Sequence, residues 1–352
     1  MCSKAIFFEG LRRAPSTPTE ILRCYLAQYS RWKRGRRKFV GREEIPSLTS
    51  DNHDISALHA PDVAIVVPNF NGARYLDKLF RSIRSLNYPR ARLRVFFVDN
   101  GSRDASVELA SKASEDIGIE FHLIVNKSNL GFAASCNQVL QKRCRPLPDY
   151  FLVANNDVEI SRNCVIHLVA KMLSDNRIGI CDGRQLPIPH PKPFDHLSGN
   201  TYWCSAAVCL ISGQALAVTG GFDELFFMYC EDVDLSWRMR LQGFRCVHVP
   251  DATFFHPVSK DKEAESFRVF YRMRNGCFMR WIYGSPFDVL FYKAVIVMQV
   301  LMRRVKLSLV ARVLMEEIAH FPHLIRRRLR FRPVRKRCPV VGFYGTDYHA
   351  VN

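Results

Sequence analysis

The chain has 352 residues, 48% hydrophobic and 12% aromatic, with a formal net charge of +18. That composition excludes a disordered protein and allows one large core or two modest ones. The charge is carried by the ends: residues 1–50 hold 11 Lys/Arg against 4 Asp/Glu and residues 301–340 hold 12 against 2, whereas residues 51–300 hold 28 against 26.

Basic ends around a near-neutral middle suggest attachment segments flanking an enzyme-like domain, and nucleic acid or an anionic membrane surface could meet them. No zinc-finger spacing and no aromatic RNA-binding motif occurs, so the membrane surface is the expected partner and nucleic acid is not. The 12 cysteines form no C-x-x-C pair and sit in apolar runs such as VCLISG and RCVHVP, as buried thiols do in a reducing compartment. Arg12 and Arg13 are not followed by an apolar run of signal-peptide length. The apolar stretch Val289–Met302 is interrupted by Lys293 and is short for a span. The expected location is cytoplasmic, peripheral on the cytoplasmic face of a membrane.

In chain order, residues 1–60 read as a basic appendage, with an amphipathic pattern over Ile21–Trp32, then RWKRGRRK, then a polar, turn-rich stretch. From Pro61 onward, short β-like runs alternate with helical patterns. AIVVP (64–68), RVFFVD (94–99), FHLIVN (121–126) and YFLVAN (150–155) are predicted strands. Helices are predicted over 75–86, 105–116, 133–143 and 163–173. Continuously apolar strands separated by helices imply a parallel sheet covered on both faces.

Each of these strands runs into amides and acids: Asn69 and Asn71; Asp99 and Asn100; Asn126, Asn129 and Gly131; Asn155, Asn156 and Asp157. Such residues are ordinary at turns. Four such strand ends in a row, however, line the crevice where open α/β sheets bind ligands. Neither a G-x-G-x-x-G fingerprint nor a Walker loop is present. After Ile178–Cys181 the proline-rich LPIPHPKPFDH reads as a surface or acceptor-facing insertion. A strand over 206–212 and a short helix over 213–218 then lead to GGFDELFFMYCEDVDLSWRMRLQG.

In that stretch Glu231, Asp232 and Asp234 follow the aromatic run Phe226–Tyr229 and open a helix ending at Gly243. Acids in a first turn suit the helix dipole. A carboxylate against apolar walls also has a raised pKa and can act as a general base. Asp234 is spaced to pair with Arg238 four residues on. FRCVHVPDATFFHP is predicted as two short strands ending at His256, which is placed to be a metal ligand. The helix predicted over 263–283 carries Arg268, Arg272 and Arg274, which would face an anionic ligand or solvent. Basic amphipathic helices ending in LIRRRLRFRPVRKR follow, of a kind that lies in an anionic bilayer interface.

The segments IVVPNFNGARYL, FFVDNGSRDAS, NKSNLGFAASCN, LVANNDVEI and GGFDELFFMYCEDVDLSWRMRLQGF, with His256 and YRMRNG, resemble the family 2 glycosyltransferases, especially rhamnosyltransferase-like members. The resemblance implies an α/β GT-A fold over residues 61–283, a mostly parallel central sheet with helices on both faces. Residues 1–60 would be an appendage and 284–352 a basic helical tail. It implies an inverting, metal-dependent transfer of a hexose from a nucleoside diphosphate donor, dTDP-rhamnose foremost, to a hydroxyl of a surface-glycan or lipid-linked acceptor. UDP-galactofuranose, a UDP-hexose, a non-catalytic glycan-binding module and, more weakly, a nucleotidyltransferase are the alternatives. Asp99 would bind the pyrimidine ring. Pro68, Asn69, Asn71, Asn100, Asn129, Gly131, Asn155, Asn156 and Arg274 would line the nucleotide sugar. Asp157 and His256 would hold Mg²⁺ or Mn²⁺, and Asp232, with Glu231 beside it, would be the base. Asn155 departs from a strict D-x-D motif, which has an acid there.

Overall fold

The computed structural model describes residues 60–190, 192, 194–257, 263–302 and 305–335. The basic appendage, with its expected helix over 21–32, and the tail beyond Arg335 lie outside the described residues. β1 (Val63–Asn69), β2 (Leu93–Asp99), β3 (Glu120–Val125) and β4 (Tyr150–Ala154) run parallel in the order β3-β2-β1-β4. Side chains alternate between two cores. Ile65, Val67, Phe97 and Leu152 pack on one face; Val66, Phe96, Phe151 and Val153 pack on the other. α1 (Ala73–Arg84) and α2 (Ser106–Asp116) follow β1 and β2, and α1 buries Leu76, Leu79, Phe80 and Ile83 at helical spacing. α3 (Phe132–Asn137) follows β3 and widens into a π-helical turn, Gln138–Arg143, where the periodicity predicts one unbroken helix. Asn137, at the junction, spends its side chain on the backbone N–H and C=O of Phe222 (2.9 and 2.8 Å).

Beyond β4 the sheet becomes mixed. β5 (Glu159–Ile160), α4 (Cys164–Ser174), β6 (Ile178–Leu186), β7 (Asn200–Thr201), β8 (Val208–Ser212), α5 (Gly213–Thr219), α6 (Glu231–Leu241) and β9 (Arg245–Phe255) continue it in the order β4-β8-β6-β9-β5. β8 is antiparallel to β4 and β6, and β9 is parallel to β6. The two short strands expected over 244–257 are one strand. A register shift opposite Gly183 and Arg184 absorbs Pro250, which has no N–H to donate to a ladder. β6 also runs past Cys181 to Leu186, taking the first part of the proline-rich stretch into the sheet.

α7 (Glu263–Tyr283), α8 (Pro286–Leu301) and α9 (Leu307–Arg335) form a third core with α6 around Trp237, Phe278, Ile282, Val313, Leu324 and Phe331. The helices after residue 283 therefore share apolar contacts with the helix that carries the acids. At the centre lies Asp234, fully buried: Arg238 Nε donates at 2.7 Å, Tyr283 Oη at 2.7 Å and Arg327 Nη2 at 3.0 Å. The expected Asp234–Arg238 pair is thus part of a larger hub. The nine described cysteines are buried and form no disulfide.

Asp234→Ala would leave the Arg238 guanidinium facing a low-dielectric core without its counter-charge, while Arg327 keeps Asp223, at a cost of about 3–5 kcal/mol. Urea unfolding should show a lower midpoint with an unchanged slope.

Candidate active site

The turns after β1 and β2 are locked together. Asp99 is fully buried and accepts from Ser102 N–H (2.8 Å), Ser102 Oγ (2.6 Å) and Asn69 Nδ2 (2.8 Å). A carboxylate has about four acceptor positions, so about one remains for a ligand. Asn69 Oδ1 accepts from Asn156 Nδ2 at 2.7 Å, which joins the turn after β1 to the one after β4. Their approach explains Gly72, where a Cβ would lie 2.2 Å from Asn156 Nδ2. Asn71 adopts a left-handed conformation (φ 49°) and accepts from Arg103 N–H. Asn100 Oδ1 accepts from Asn126 and Ser135, and Asn129 Oδ1 from the N–H of Gly131 (2.9 Å). Gly131 (φ 84°) has no room for a Cβ, which would lie 2.5 Å from the Phe227 carbonyl oxygen. Pro68, next to last in β1, lies in register with Val98, and Asn155 N–H donates to Ala207 C=O at 2.9 Å.

Asp157 and His256, 99 positions apart in sequence, are brought together by the pairing of β5 with β9. His256 Nε2 lies 3.1 Å from Asp157 Oδ1, and both side chains are 22% exposed. His256 Nδ1 faces Gln185 Oε1 at 2.9 Å, and Gln185 Nε2 donates to Ile188 C=O, which fixes the amide. Nδ1 thus donates to Gln185, which would leave Nε2 to offer its lone pair to a cation shared with Asp157, as in a metal-ligating histidine. Two cis ligands on bonds of about 2.1 Å lie about 3 Å apart, so the spacing fits one divalent cation. The mixed N/O pair suits Mn²⁺ better than Mg²⁺. Among the described residues no third His, Cys, Asp or Glu joins them, so further ligands would be a donor's phosphate oxygens and water.

The acid stretch is held under strain. Tyr229 (φ 66°) and Cys230 (φ 70°) are consecutive left-handed residues, each costing on the order of 1–3 kcal/mol. Asn275 Nδ2 pins the turn through the carbonyls of Met228 (2.8 Å) and Tyr229 (2.7 Å). Arg274 does not face an open crevice. It is buried, donates to Leu225 C=O, Asn275 Oδ1 and Glu316, and lies 4.2 Å over the Phe278 ring. The structure makes it a clamp on the 225–229 loop.

At the start of α6 the three acids differ. Asp234 is in the hub. Glu231 is buried with Oε2 unpartnered, and burial together with the charges of Asp232 and Asp234 pushes its carboxyl well up. Asp232, half-buried, is raised by burial to about 6, a rise limited by the N–H groups of Ala206 (3.2 Å) and Val233 (2.8 Å) and by Lys192. The two carboxyls titrate as a pair, and burial raises Glu231 more than the more accessible Asp232, so Asp232 is the first of the two to ionise.

Sequence reasoning missed the cluster beside it. Lys192, from the proline-rich stretch, is buried against Asp182, donates to Trp203 C=O and lies 5.3 Å over the Trp203 ring. Burial alone would raise Asp182, but Lys192 and His248 (Nδ1 at 2.9 Å) hold it below its ordinary value. His190, pushed down to about 4 by burial and Lys192, bonds Ser205 Oγ (3.1 Å). The stretch is thus anchored inward, not a free surface insertion; its only signal was a lysine among prolines. The segment Ser205–Ala207 joins the parts: the N–H of Ser205 serves Asp182, that of Ala206 serves Asp232, and Ala207 C=O receives Asn155. The turn that carries Asp157 and the helix start that carries Asp232 are therefore tied to one backbone segment.

Residues 64–225 match the model of Glycosyl transferase family 2. The chain carries a family 2 glycosyltransferase domain. It is similar to N-acetylglucosaminyl-diphospho-decaprenol L-rhamnosyltransferase of Mycobacterium tuberculosis (strain CDC 1551 / Oshkosh), with 24% identity over 235 residues, 54% of this chain and 75% of that protein. It is also similar to rhamnosyltransferase WbbL of Escherichia coli (strain K12), with 31% identity over 94 residues, 27% of this chain and 32% of that one. Among solved structures, mannosyltransferase PcManGT from Pyrobaculum calidifontis, in complex with GDP-Man and Mn²⁺, superposes with a TM-score of 0.55 at 14% identity, covering 90% of this chain and 97% of that one. The fold is GT-A.

Asn275→Ala in this glycosyltransferase should release the two loop carbonyls at a cost of about 1–3 kcal/mol. Thermal unfolding should report the loss, and amide exchange over residues 228–234 should accelerate as Tyr229 and Cys230 relax.

Proposed function

We propose that this enzyme is an inverting transferase that moves a hexose, rhamnose from dTDP-rhamnose foremost, onto a hydroxyl of a surface-glycan or lipid-linked acceptor. The observation that carries this reading is the division of labour around Ser205–Ala207, with an Asp–His pair spaced for one cation on one side and a half-buried carboxylate titrating near neutrality on the other. Rhamnose is favoured by the names of two relatives, and a lipid-linked acceptor by the decaprenol of one. The enzyme would work peripherally at the cytoplasmic face of an anionic membrane. Among the described residues no helix is long and apolar enough to cross one.

The chemistry follows from the residues. The turns after β1, β2 and β3 hold the nucleoside, with Asp99 and Asn69 fixing their shape. Asp157 Oδ1 and His256 Nε2 would hold the divalent cation, which when bound neutralises the diphosphate as it leaves. Asp232 takes the proton of the acceptor hydroxyl, whose oxygen forms a bond to the anomeric carbon from the face opposite the diphosphate. The bond from that carbon to the diphosphate oxygen breaks, and the nucleoside diphosphate departs with the electron pair. Glu231, the second of the pair to ionise, leaves the first charge to Asp232.

Two tests separate these roles. Asp157→Ala and His256→Ala should abolish the Mn²⁺-dependent part of UDP or dTDP affinity in titration calorimetry, whereas Asp232→Asn should retain that affinity and lose about 10²–10⁴ in transfer rate. Near wild-type transfer by Asp232→Asn would remove it as the base. The second test is pH. Asp232 is idle while protonated, so transfer should rise as pH climbs through about 6 and level off above it. A rate flat from pH 5 to pH 7 would contradict the assignment.

A further inference from the structure

Both α8 and α9 pack on α7 and leave apolar residues facing solvent. On α8, Leu290 (67% exposed), Val297 and Leu301 (77%) recur at helical spacing; on α9, Leu314, Met315 and Ile318 (75%) do the same. The two sets converge. Leu290 and Val297 flank Lys293 at i−3 and i+4, which puts the three on one helix face. Lys293 lines a groove whose far wall is Leu314, Ile318 and Phe321 and whose floor includes Trp281. Lys293 Nζ spans to Glu317 Oε2 at 2.8 Å, tying the helices across the groove. A contiguous apolar surface of this kind is uncommon on a soluble protein with nothing to cover it.

Charge identifies the cover. Residues 286–335 hold eleven Lys/Arg and three acids. All three acids are engaged within the protein: Asp288 caps α8 through Ser285, Glu316 pairs with Arg274 and Glu317 with Lys293. Lys306, Arg312, Arg326 and Arg330 of the same segment are exposed, Arg312 with its guanidinium 4.7 Å over the Phe270 ring. Arg327 and Arg328 are not free for an outside partner, since they hold Asp234 and the carbonyls of Trp281 and Gly284. Docking cannot then be a property of the arginine run alone.

We propose that the paired apolar faces of α8 and α9, rimmed by these cations, form a monotopic docking surface for an anionic lipid bilayer. The surface has the composition of an interfacial helix pair: a wide apolar face, basic flanks, and acids that are each paired within the protein. It gives a structural location to the membrane partner in the functional reading above, and the acid helix stands on the same third core as the docked helices.

The experiment is sedimentation of the full chain with phosphatidylcholine vesicles, with and without phosphatidylglycerol. Wild type should partition onto the anionic vesicles and much less onto the neutral ones. Leu290→Glu/Val297→Glu, and separately Ile318→Glu, should each reduce that partition at least about ten-fold. Circular dichroism melts should match wild type because the substituted positions are exposed. Variants that stay vesicle-bound would overturn the proposal. So would a wild-type dimer in light scattering that the same substitutions convert to monomer, since the cover would then be a second copy. No sugar or acceptor enters the measurement, so a failed transfer assay and a failed vesicle assay are separate results.

Discussion

One buried carboxylate governs the position of the acids that open α6. α6 is enclosed on nearly every side, so its charges need partners inside the protein. Asp234 supplies the place where they meet: Arg238 from its own helix, Tyr283 from α7 and Arg327 from α9 all end on it. The hub fixes the rotation of α6 about its axis. That rotation decides that Asp232 meets the crevice while Glu231 turns into the core. The left-handed pair Tyr229–Cys230 works in the same direction, since it aims the chain into the helix only while Asn275 holds the turn.

Three acids within four residues thus reach three different states. Asp234 is paired with two guanidinium groups, Glu231 is pushed well up by burial and by the charges of Asp232 and Asp234, and Asp232 is raised less because two backbone N–H groups and Lys192 moderate its desolvation. Chemically near-identical side chains are separated by environment alone. The Lys192–Asp182–His248 cluster repeats this logic a few ångströms of backbone away, where a buried acid is held ionised by a buried cation.

The parallel half of the sheet was legible because its strands are apolar on both faces and its helices bury residues at regular spacing. Asp157 and His256 were legible as chemistry, but their 3.1 Å approach depends on the β5–β9 pairing, which no local pattern encodes. The long β9 was misread because Pro250 and Asp251 look like a break, and only a partner strand with a shifted register makes them continuous. Arg274 was misassigned for a similar reason. An arginine three residues from an aromatic reads alike whether it faces a ligand or a loop carbonyl, and burial decides between them. Lys192 went unnoticed because a lysine among prolines carries no periodicity at all.

The strand order has a consequence for how the molecule comes into being. β1 to β4 draw only on the first half of the described chain, whereas β5 finds its partner only once β9 is made, Glu159 pairing with Phe255 and Ile160 with Phe254. During synthesis the turns after β1, β2 and β3 can be complete while His256 is still inside the ribosome. A nascent or truncated chain would present Asp157 without His256, so integrity of the last strand sets when the two side chains meet.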